Sequence, residues 1–371
     1  MSAGLRIAVP IHSFEPGGVE RVALNLAAAW QIEGVEVKVL LGRDAGAMHG
    51  IAPGLDYVRR PEPIPTAAWE TLWMIWCSWR WLRLNPVDVL FLAGNTYGIV
   101  GAAVKLLLGK RCPPIAIKIS NDLERRDMPA IGRWFYRRWL RVQGRLIERI
   151  VGMAAPMRAE IAETMRVPET RITIVEDPSL EVAQRAALMA VPRSAATPRL
   201  PHYVAVGRLL PQKNFPHLLR SFARLDDPAA RLVIVGEGAD RGKLARLAAQ
   251  LGIAERLALP GHCDPAPHLA AASAYVLSSD YEGVPAVIIE ALAAGLLIAG
   301  TDCSVSMQVL TGNGKFGRLV PIRDEGALAG AMREVLTMSF DPTAARASTD
   351  VFTIPIAAAR YRALFEGLAA A

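Results

Sequence analysis

Short apolar runs alternate with amphipathic stretches along this chain, and the alternation predicts strands that alternate with helices. In the first half the apolar runs predict strands at 6–11, 35–41, 87–93, 114–120, 149–154 and 171–176. A second series begins at His202 and predicts strands at 202–207, 231–236, 256–259, 274–277 and 296–300. Strands alternating with helices form parallel sheets covered on both faces. The pattern therefore predicts an α/β protein with two doubly wound parallel sheets.

The two series are separated by a stretch that fits neither the strand pattern nor the helix pattern. It is rich in alanine and polar residues and holds prolines at Pro178, Pro192 and Pro198, with Pro201 just beyond. We therefore predict an N-terminal domain over 1–178, a linker over 179–200 and a C-terminal domain over 201–350. Within the final segment, 351–371, residues 356–370 predict one more helix.

Composition narrows the class of protein. With 371 residues, 52% of them hydrophobic and 21% charged, the chain suits two globular domains. Its four cysteines show no metal-ligand spacing, which favours a reducing compartment and argues against structural zinc. Neither a signal peptide nor a run of about eighteen uncharged apolar residues is visible, so we expect no spanning helix. The net charge of +7 leaves nucleic acid and anionic membranes open as partners.

Residues 274–295 predict a strand, a polar loop and an apolar helix in succession. Glu282 lies in the loop, and Glu290 lies eight residues later in the helix. Loop amides and a helix N-terminus together favour an anion. Two carboxylates would repel that anion unless they bind something else, and sugar hydroxyls suit them. The alternative is a solvated loop residue and an exposed helix residue.

Two strand-to-helix turns carry further candidate chemistry. Arg208 and Lys213, in the segment GRLLPQKN, follow the strand at 202–207, where ligands of open α/β sheets bind. Two fixed cations can neutralise a diphosphate without a metal, and solvated surface charges are the alternative. Gly17 and Gly18 follow the first strand, where glycine lets a backbone approach a ligand closely. A simple tight turn is the alternative there.

Residues 131–150 predict a helix that is both basic and aromatic. Between Glu124 and Arg149 eight arginines stand against three acids, a net +5 that is most of the chain's excess charge. At 100° per residue the arginines occupy one half of the wheel and the apolar side chains the other. The arginine half holds Arg133, Arg137, Arg138, Arg141, Arg145 and Arg149, with Trp134 among them, and the apolar half holds Phe135, Trp139, Val142, Leu146 and Ile150.

Arginine beside interfacial tryptophan favours an anionic membrane surface. We therefore predict that Arg133, Trp134, Arg137, Arg138 and Arg141 face a membrane. A predicted helix nearby carries a further tryptophan stripe at Trp69, Trp73 and Trp76. A core-packing helix with a solvated arginine face is the alternative. No nucleic-acid-binding motif accompanies the patch, so nucleic acid is not a predicted partner.

With these residues in view, the chain resembles the family-4 retaining glycosyltransferases of the GT-B type. The family's EX7E motif and its frame match Ser279, Glu282, Gly283, Pro285, Glu290, Ala291 and Ala293. Three further motifs match in the expected order: GGxER at 17–21, VGRLxxxKN at 206–214 and VGEGxxxxxL at 235–244. Four motifs in the right order make a specific signal, where any one alone would not.

The resemblance implies two Rossmann-like domains facing a cleft, with the terminal helix returning to the first domain. It implies that Arg208 and Lys213 bind the diphosphate of a sugar nucleotide and that Glu290 binds the ribose. Glu282 would contact the donor sugar, with Gly283 and Val284 as further donor contacts. Gly17 and Gly18 would close over the sugar-phosphate from the other side.

The chain departs from the family's pattern in three places. Where many relatives carry a sugar-binding histidine, this chain has Ile119-Ser120-Asn121-Asp122, so Ser120 or Asn121 would serve instead. The motif helix is followed by Gly295-Leu296-Leu297 rather than Gly-x-Pro. The next loop, TDCSVSMQVL, lacks the usual glycine and arginine.

The expected activity is transfer of a hexose from a UDP- or GDP-sugar to a lipid-linked or saccharide acceptor, with retention and without a metal or other cofactor. We expect the protein at the cytoplasmic face of a membrane, bound peripherally, in polysaccharide or glycolipid synthesis. A non-catalytic module that binds sugar nucleotides or membranes is the alternative from another class. An epimerase of the same fold would lack the EX7E pattern, and a phosphorylase would need a cofactor-lysine environment that we do not find.

Overall fold

The structure, a computed structural model, describes residues 4–62, 64–120, 123, 128–192 and 201–370. The chain divides into two compact units. The first unit comprises Met1–Ser179 together with Thr353–Ala371, and the second comprises Leu180–Phe352. Each unit is built around one parallel sheet.

Over its described residues, the first unit has a seven-stranded sheet in the order β3-β2-β1-β4-β5-β6-β7. Its strands are β1 (Arg6–Ile11), β2 (Glu36–Leu41), β3 (Asp56–Val58), β4 (Val89–Leu92), β5 (Ile115–Lys118), β6 (Arg149–Gly152) and β7 (Ile172–Ile174). Its helices are α1 (Gly18–Ile32), α2 (Glu70–Leu82), α3 (Gly98–Leu108), α4 (Ala130–Leu146), α5 (Met157–Met165) and, at the end of the chain, α14 (Ile354–Ala369).

Neighbouring residues of β4 show how helices cover both faces of this sheet, because side chains alternate along a strand. Phe91 packs against Trp30 of α1 and against Tyr361 and Phe365 of α14, with ring centroids 5.0–5.5 Å apart. Leu92, the next residue, points at α3, where a Cβ on Gly101 would lie 2.4 Å from Leu92 Cδ1. One face is therefore covered by α1 and α14, and α3 lies on the other, packed between α2 and α4.

The second unit has, in the part that the structure describes, a six-stranded sheet in the order β10-β9-β8-β11-β12-β13. Its strands are β8 (His202–Val206), β9 (Arg231–Val235), β10 (Leu257–Gly261), β11 (Ala274–Leu277), β12 (Leu297–Thr301) and β13 (Gly317–Val320). Its helices are α6 (Val182–Met189), α7 (Phe215–Ala223), α8 (Arg241–Gln250), α9 (Ala266–Ala271), α10 (Ala286–Ala293), α11 (Met307–Leu310), α12 (Glu325–Thr337) and α13 (Pro342–Ala347).

The two parallel sheets confirm the predicted α/β class, and each of the eleven predicted strands has a counterpart. Two strands were missed. Both β3 and β13 are short and lie at sheet edges, where one neighbour suffices and the apolar run is brief.

Two boundary predictions were wrong. The predicted linker over 179–200 contains helix α6, and Leu188 of α6 is buried in the core of the second unit. The prediction of a helix through residue 150 fails because α4 ends at Leu146, after which Arg149–Gly152 pairs as β6 with both β5 and β7. Sheet pairing therefore takes the residues that the helical period had assigned to α4.

Candidate functional site

The strand order of the second unit places the carboxyl ends of β8 and β11 at a topological switch point. The order runs outward from β8 to β9 and β10 on one side and from β11 to β12 and β13 on the other. Ligands of open α/β sheets bind in the crevice at such a point. Residues 207–214, after β8, and 278–285, after β11, are the two loops that meet there, and they hold five of the eight predicted donor-binding residues.

Backbone and side-chain hydrogen bonds join these loops. The Asp280 amide donates to the Gln212 carbonyl at 3.0 Å, and Ser278 Oγ donates to the Lys213 carbonyl at 2.8 Å. Asn214 Nδ2 donates to Asp280 Oδ1 at 2.8 Å. Asn214 is left-handed, with φ 44°, and caps α7. The two sequence motifs are therefore one structural unit, held by side chains as well as by backbone.

Arg323, which follows β13, adds a cation to this junction. Its guanidinium binds both carboxylate oxygens of Asp280, at 2.6–3.2 Å. Asp280 is thus tied to Asn214 on one side and to Arg323 on the other. A carboxylate that accepts from several donors is fixed in orientation, and it fixes the loop that carries it.

Lys213 and Glu282 form a direct ion pair in the candidate site. Lys213 Nζ lies 2.6 Å from Glu282 Oε1, with only 17% and 10% of the two side chains exposed. Ser279 Oγ donates to the same oxygen at 2.7 Å, and Gln212 Nε2 lies 3.4 Å from Oε2. The residue predicted to bind the phosphate and the residue predicted to bind the sugar therefore contact each other.

Glu290 lies one turn from the end of α10, as the sequence predicted, and accepts a hydrogen bond from Gln184 Nε2 at 3.3 Å. The charges of both motif carboxylates affect the pKa of the buried Tyr275 of β11. Burial is the main reason that the pKa of Tyr275 is raised, and the charges of Glu290 and Glu282 raise it further. The two acids of the motif thus lie close enough to one residue to share an electrostatic environment.

Arg208 is exposed on the turn after β8, five residues before Lys213. Gly283 and Val284 lie between Glu282 and α10. The Gly283 carbonyl accepts from the hydroxyls of Ser304 and Ser306 at 2.5 and 2.8 Å. The loop after β12, which departs from the family's pattern, therefore holds the motif loop through serine hydroxyls.

A glycine makes the close approach around this site possible. Gly236, at the end of β9, has φ +148°, and a Cβ there would lie 1.9 Å from the Gly207 carbonyl oxygen. No side chain fits at that distance. The VGEG segment therefore needs glycine at this position so that β9 can pack beside the start of the Arg208 turn.

Gly17 and Gly18 lie in the first unit, where Gly17 caps α1 and Gly18 is its first residue. A Cβ on Gly17 would lie 2.2 Å from Glu20 Oε2, so a side chain there would displace Glu20. Glu20 Oε1 accepts from the buried Tyr97 hydroxyl at 2.8 Å, and that hydroxyl accepts from the His12 amide at 2.8 Å. These contacts tie the glycine turn to the segment that follows β4.

His12 and Ser120 follow β1 and β5, whose carboxyl ends flank that of β4. The ring of His12 stacks on Tyr97 at 4.6 Å, and burial lowers the pKa of His12. Ser120 donates its amide to Asn95 Oδ1 at 2.7 Å. Asn121, the other predicted sugar contact, lies outside the described residues.

Helix α4 exposes both of its predicted halves. Of the predicted membrane-facing residues, Trp134, Arg137 and Arg138 are exposed and Arg133 and Arg141 half-buried, and Arg138 lies over the Trp134 ring at 4.6 Å. Phe135 is 62% exposed and Val142 39% exposed, so the predicted apolar half is not the packed half. Leu140, Gln143 and Gly144 are buried instead. Helix α4 therefore packs through a stripe other than the predicted apolar half, and the prediction that it faces a membrane stays a prediction.

The described residues hold no cluster of three or more histidine, cysteine or acidic side chains suited to a metal ion. None of the helices within the described ranges has the length and apolar character needed to cross a bilayer.

Several residues of the site escaped prediction. Gln184 falls in the predicted linker, and Asp280 and Arg323 pair across more than forty residues of sequence. Ser304 and Ser306 lie in the loop TDCSVSMQVL, for which the sequence indicated only the missing glycine and arginine. Asp280 alone carried a signal, since it stands between the matched Ser279 and Glu282.

Comparisons with known proteins cover both halves of the chain. The family described as Glycosyltransferase Family 4 matches residues 16–177, and that described as Glycosyl transferases group 1 matches residues 193–350. Among solved structures, the apo form of the lipopolysaccharide outer core galactosyltransferase WaaB has a TM-score of 0.76 at 16% identity, covering 98% of this chain and 100% of that one. HepE of Anabaena in complex with UDP and glucose has a TM-score of 0.74 at 14% identity, covering 98% and 99%. Such identities show a shared fold.

Curated relatives match over shorter stretches. The lipopolysaccharide core biosynthesis glycosyltransferase LpsE of Rhizobium meliloti is 33% identical over 137 residues, which are 37% of this chain and 39% of LpsE. An N-acetylgalactosaminyltransferase of Campylobacter jejuni, whose name specifies a diphospho-undecaprenol-linked saccharide, is 32% identical over 134 residues, or 36% of each chain. The match spans less than half of the length of these two relatives.

Proposed function

This chain belongs to the family-4 glycosyltransferases of the GT-B type, and we propose that it transfers a hexose from a UDP- or GDP-sugar to a lipid-linked or saccharide acceptor. The proposed transfer retains the configuration of the sugar and contributes to polysaccharide or glycolipid synthesis. The observation that carries the proposal is the Lys213–Glu282 pair at the switch point of the second unit.

The pair can hold a diphosphate and a sugar together. An ammonium group has three donors, and Glu282 takes one, so Lys213 can also donate to a phosphate oxygen. Among the described residues, Glu282 Oε1 accepts from Lys213 and Ser279, whereas Oε2 accepts only from Gln212, at 3.4 Å, and can accept from a sugar hydroxyl. Exposed Arg208, on the same turn, supplies a second cation for the diphosphate. In this proposal Glu290 binds the ribose, with Gly283 and Val284 beside it.

In the proposed step the bond between the sugar C1 and the diphosphate oxygen breaks, and an acceptor hydroxyl oxygen bonds to C1 from the same face. The hydroxyl proton passes to the departing phosphate. Negative charge therefore grows on the diphosphate, where Arg208 and Lys213 would stabilise it more strongly in the transition state than in the bound donor. Gly17, Gly18 and Ser120 of the first unit are the proposed contacts for the sugar and its phosphate.

The comparisons support this proposal through the ligands and names of other proteins. HepE of Anabaena binds UDP and glucose, and the Campylobacter jejuni relative is named for a lipid-diphosphate-linked acceptor. A lipid-linked acceptor would lie at a bilayer. We accordingly propose that the protein binds the cytoplasmic face peripherally, through Arg133, Trp134, Arg137, Arg138 and Arg141.

The decisive experiment is a screen of the purified protein against UDP- and GDP-hexoses, measuring the nucleoside diphosphate released. Lys315→Ala is the matched control for Lys213→Ala, because Lys315 is exposed in the turn before the amino end of β13. We expect one donor to be hydrolysed slowly, Lys213→Ala to abolish the release and Lys315→Ala to leave it unchanged.

An arm with excess EDTA tests the proposal that fixed cations replace a metal. The rate should stay within about twofold, whereas loss restored by magnesium would assign the leaving group to a metal. Binding of UDP or GDP without hydrolysis or transfer would favour the non-catalytic alternative.

A further inference from the structure

The outward side of α3 is apolar although it faces solvent. Ile99 is 44% exposed, Leu106 72% and Leu107 57%. Its other side is buried through Val100, Val104 and Leu108. A helix that is apolar on two opposite sides is normally covered on both. No described residue of the first unit covers this side of α3.

The neighbouring helices continue the apolar surface. Leu72 and Trp76, one turn apart on α2, are 64% and 40% exposed. On α4, Ile131 and Phe135 are 72% and 62% exposed and also lie one turn apart. Because α3 packs between α2 and α4, these side chains belong to one face of the first unit, which we call the three-helix face. Several large apolar side chains exposed on one face favour an interaction site.

Charge identifies the partner of the three-helix face. Helices α2, α3 and α4 together carry seven basic residues and one acid, Glu70, which pairs with Arg43. Lys110 and Arg111 add exposed cations directly after α3. A second copy of this chain would bring the arginines of α4 against one another, which like-charge repulsion opposes. An anionic bilayer accepts both the cations and the apolar side chains.

We propose that the three-helix face enters an anionic bilayer, with Ile99, Leu106 and Leu107 of α3 reaching the boundary of the acyl chains. This inference rests on the membrane docking proposed for α4. It adds burial of apolar side chains to the electrostatic attraction of the arginines. Arginines alone would give binding that salt reverses, since screening shortens their reach. Inserted leucines give a component of binding that salt does not remove, because burial of apolar surface does not depend on screening. Trp76 and Trp134 would lie at the depth of the headgroups.

The test is co-sedimentation with vesicles of phosphatidylethanolamine containing about 30% phosphatidylglycerol, at about 0.1 M and 0.5 M salt. We expect wild-type protein to bind at low salt and to stay substantially bound at high salt. Leu106→Gln combined with Leu107→Gln should bind at least about fivefold less at high salt. Replacing Arg133, Arg137, Arg138 and Arg141 by glutamine should mainly weaken binding at low salt.

Ile32→Gln is the matched control, because Ile32 is 87% exposed on the same unit but lies on α1, outside the three-helix face. It should bind like wild type. Unchanged thermal unfolding of the leucine variant would show that binding, not folding, has changed. Release of all wild-type protein at high salt, or wild-type binding by the leucine variant, would overturn the proposal. A wild-type dimer that the leucine substitutions convert to a monomer would overturn it too, in favour of an interface between copies.

Donor hydrolysis without vesicles separates this inference from the catalytic proposal. The leucine variant should hydrolyse the donor as wild type does, because α3 holds none of the proposed donor contacts. If the wild-type protein hydrolyses no donor but shows salt-resistant, leucine-dependent binding, the catalytic proposal fails and the membrane inference stands.

Discussion

Lys213 and Arg208 follow the same strand, but the fold holds them differently. Lys213 is fixed against Glu282, whose carboxylate is held in turn by Ser279, and is largely buried, whereas Arg208 is exposed. A fixed donor loses little entropy when negative charge develops beside it, which is the basis of electrostatic preorganisation. In the proposed reaction Lys213 is thus in position before a donor binds, whereas Arg208 would be ordered by the donor.

Kinetic constants of single variants test these roles. Lys213→Ala and Arg208→Ala should each lower kcat by about 100-fold or more, since both are proposed to stabilise the leaving diphosphate. Glu290→Ala should mainly raise the KM of the donor, because ribose contacts are similar in the ground and transition states. Steady-state kinetics with saturating acceptor distinguish the two patterns. Wild-type turnover in both cation variants would refute the assignment.

Cysteine reactivity tests the electrostatics of the same site. Burial, and after it the nearby charge of Glu282, raise the pKa of Cys303 to about 12. Burial also raises the pKa values of Cys77 and Cys112 to about 11. A group with a raised pKa stays protonated at pH 8, and only the thiolate reacts with iodoacetamide.

We therefore expect iodoacetamide at about pH 8 to modify exposed Cys263 well before the three buried thiols. Peptide mass spectrometry of the folded protein measures the order, and urea-unfolded protein is the control in which all four should react. Labelling of Cys303 as early as Cys263 would contradict the buried placement of the loop after β12.

At the scale of elements, Asp280 links its own loop, after β11, to the loops after β8 and β13. Asn214 and Arg323 both bind its carboxylate, so the loops after β8, β11 and β13 converge on one residue. Asp280 does not contact Lys213 or Glu282 in any hydrogen bond that we observe, and it acts on them through the loops. Its contribution is therefore positioning.

Asp280→Ala should lower kcat/KM by about tenfold, because a few weakened hydrogen bonds cost about 1–3 kcal/mol. Asp280→Asn, which can still accept from Asn214, should recover part of the loss. Glu334→Ala is the matched control, since it removes an exposed ion pair with Arg318 in the same unit. A merely structural role would lower the unfolding temperature without changing the split between kcat and KM, so both are measured.

Helix α4 shows what sequence can and cannot predict about an element. Its period predicted a helix, but Phe135 and Val142, which belong to the predicted apolar half, face solvent. Gly144 determines which side of α4 packs, because a Cβ at this position would lie 2.5 Å from the Met165 carbonyl oxygen. The missing side chain lets α4 approach the end of α5. Hydrophobicity along a helix does not encode the shape of its neighbour, so the stripe could not be predicted.

In the candidate site, too, the sequence predicted local features but not contacts between distant residues. Motif spacing predicted Glu282 in a loop and Glu290 in a helix, because both depend on local sequence. Contacts between distant residues, such as Gln184 with Glu290 and Arg323 with Asp280, depend on sheet topology. A single sequence predicts strands well but does not give the order in which they pair. The direct Lys213–Glu282 contact was missed for that reason.

At the scale of the whole molecule, the two units differ in continuity. The first unit needs both ends of the chain, because Trp30 of α1 donates to the Ala358 carbonyl of α14 and packs against Phe365. The second unit comes from one continuous stretch, Leu180–Phe352, and its core cluster lies between Leu180 and Ala345. Arg208, Lys213, Glu282 and Glu290 all lie within that stretch.

We therefore expect a fragment of residues 180–352 to fold alone and to keep the nucleotide site. It should show one cooperative thermal transition, and UDP or GDP should raise its Tm because a ligand that binds only the folded state stabilises it. Lys213→Ala in the same fragment should abolish that rise, and Lys315→Ala should preserve it. A fragment of residues 1–179 should fail to fold stably, since removal of α14 exposes Trp30 and Phe91 to water. Equal stability of the two fragments would refute this division of the chain.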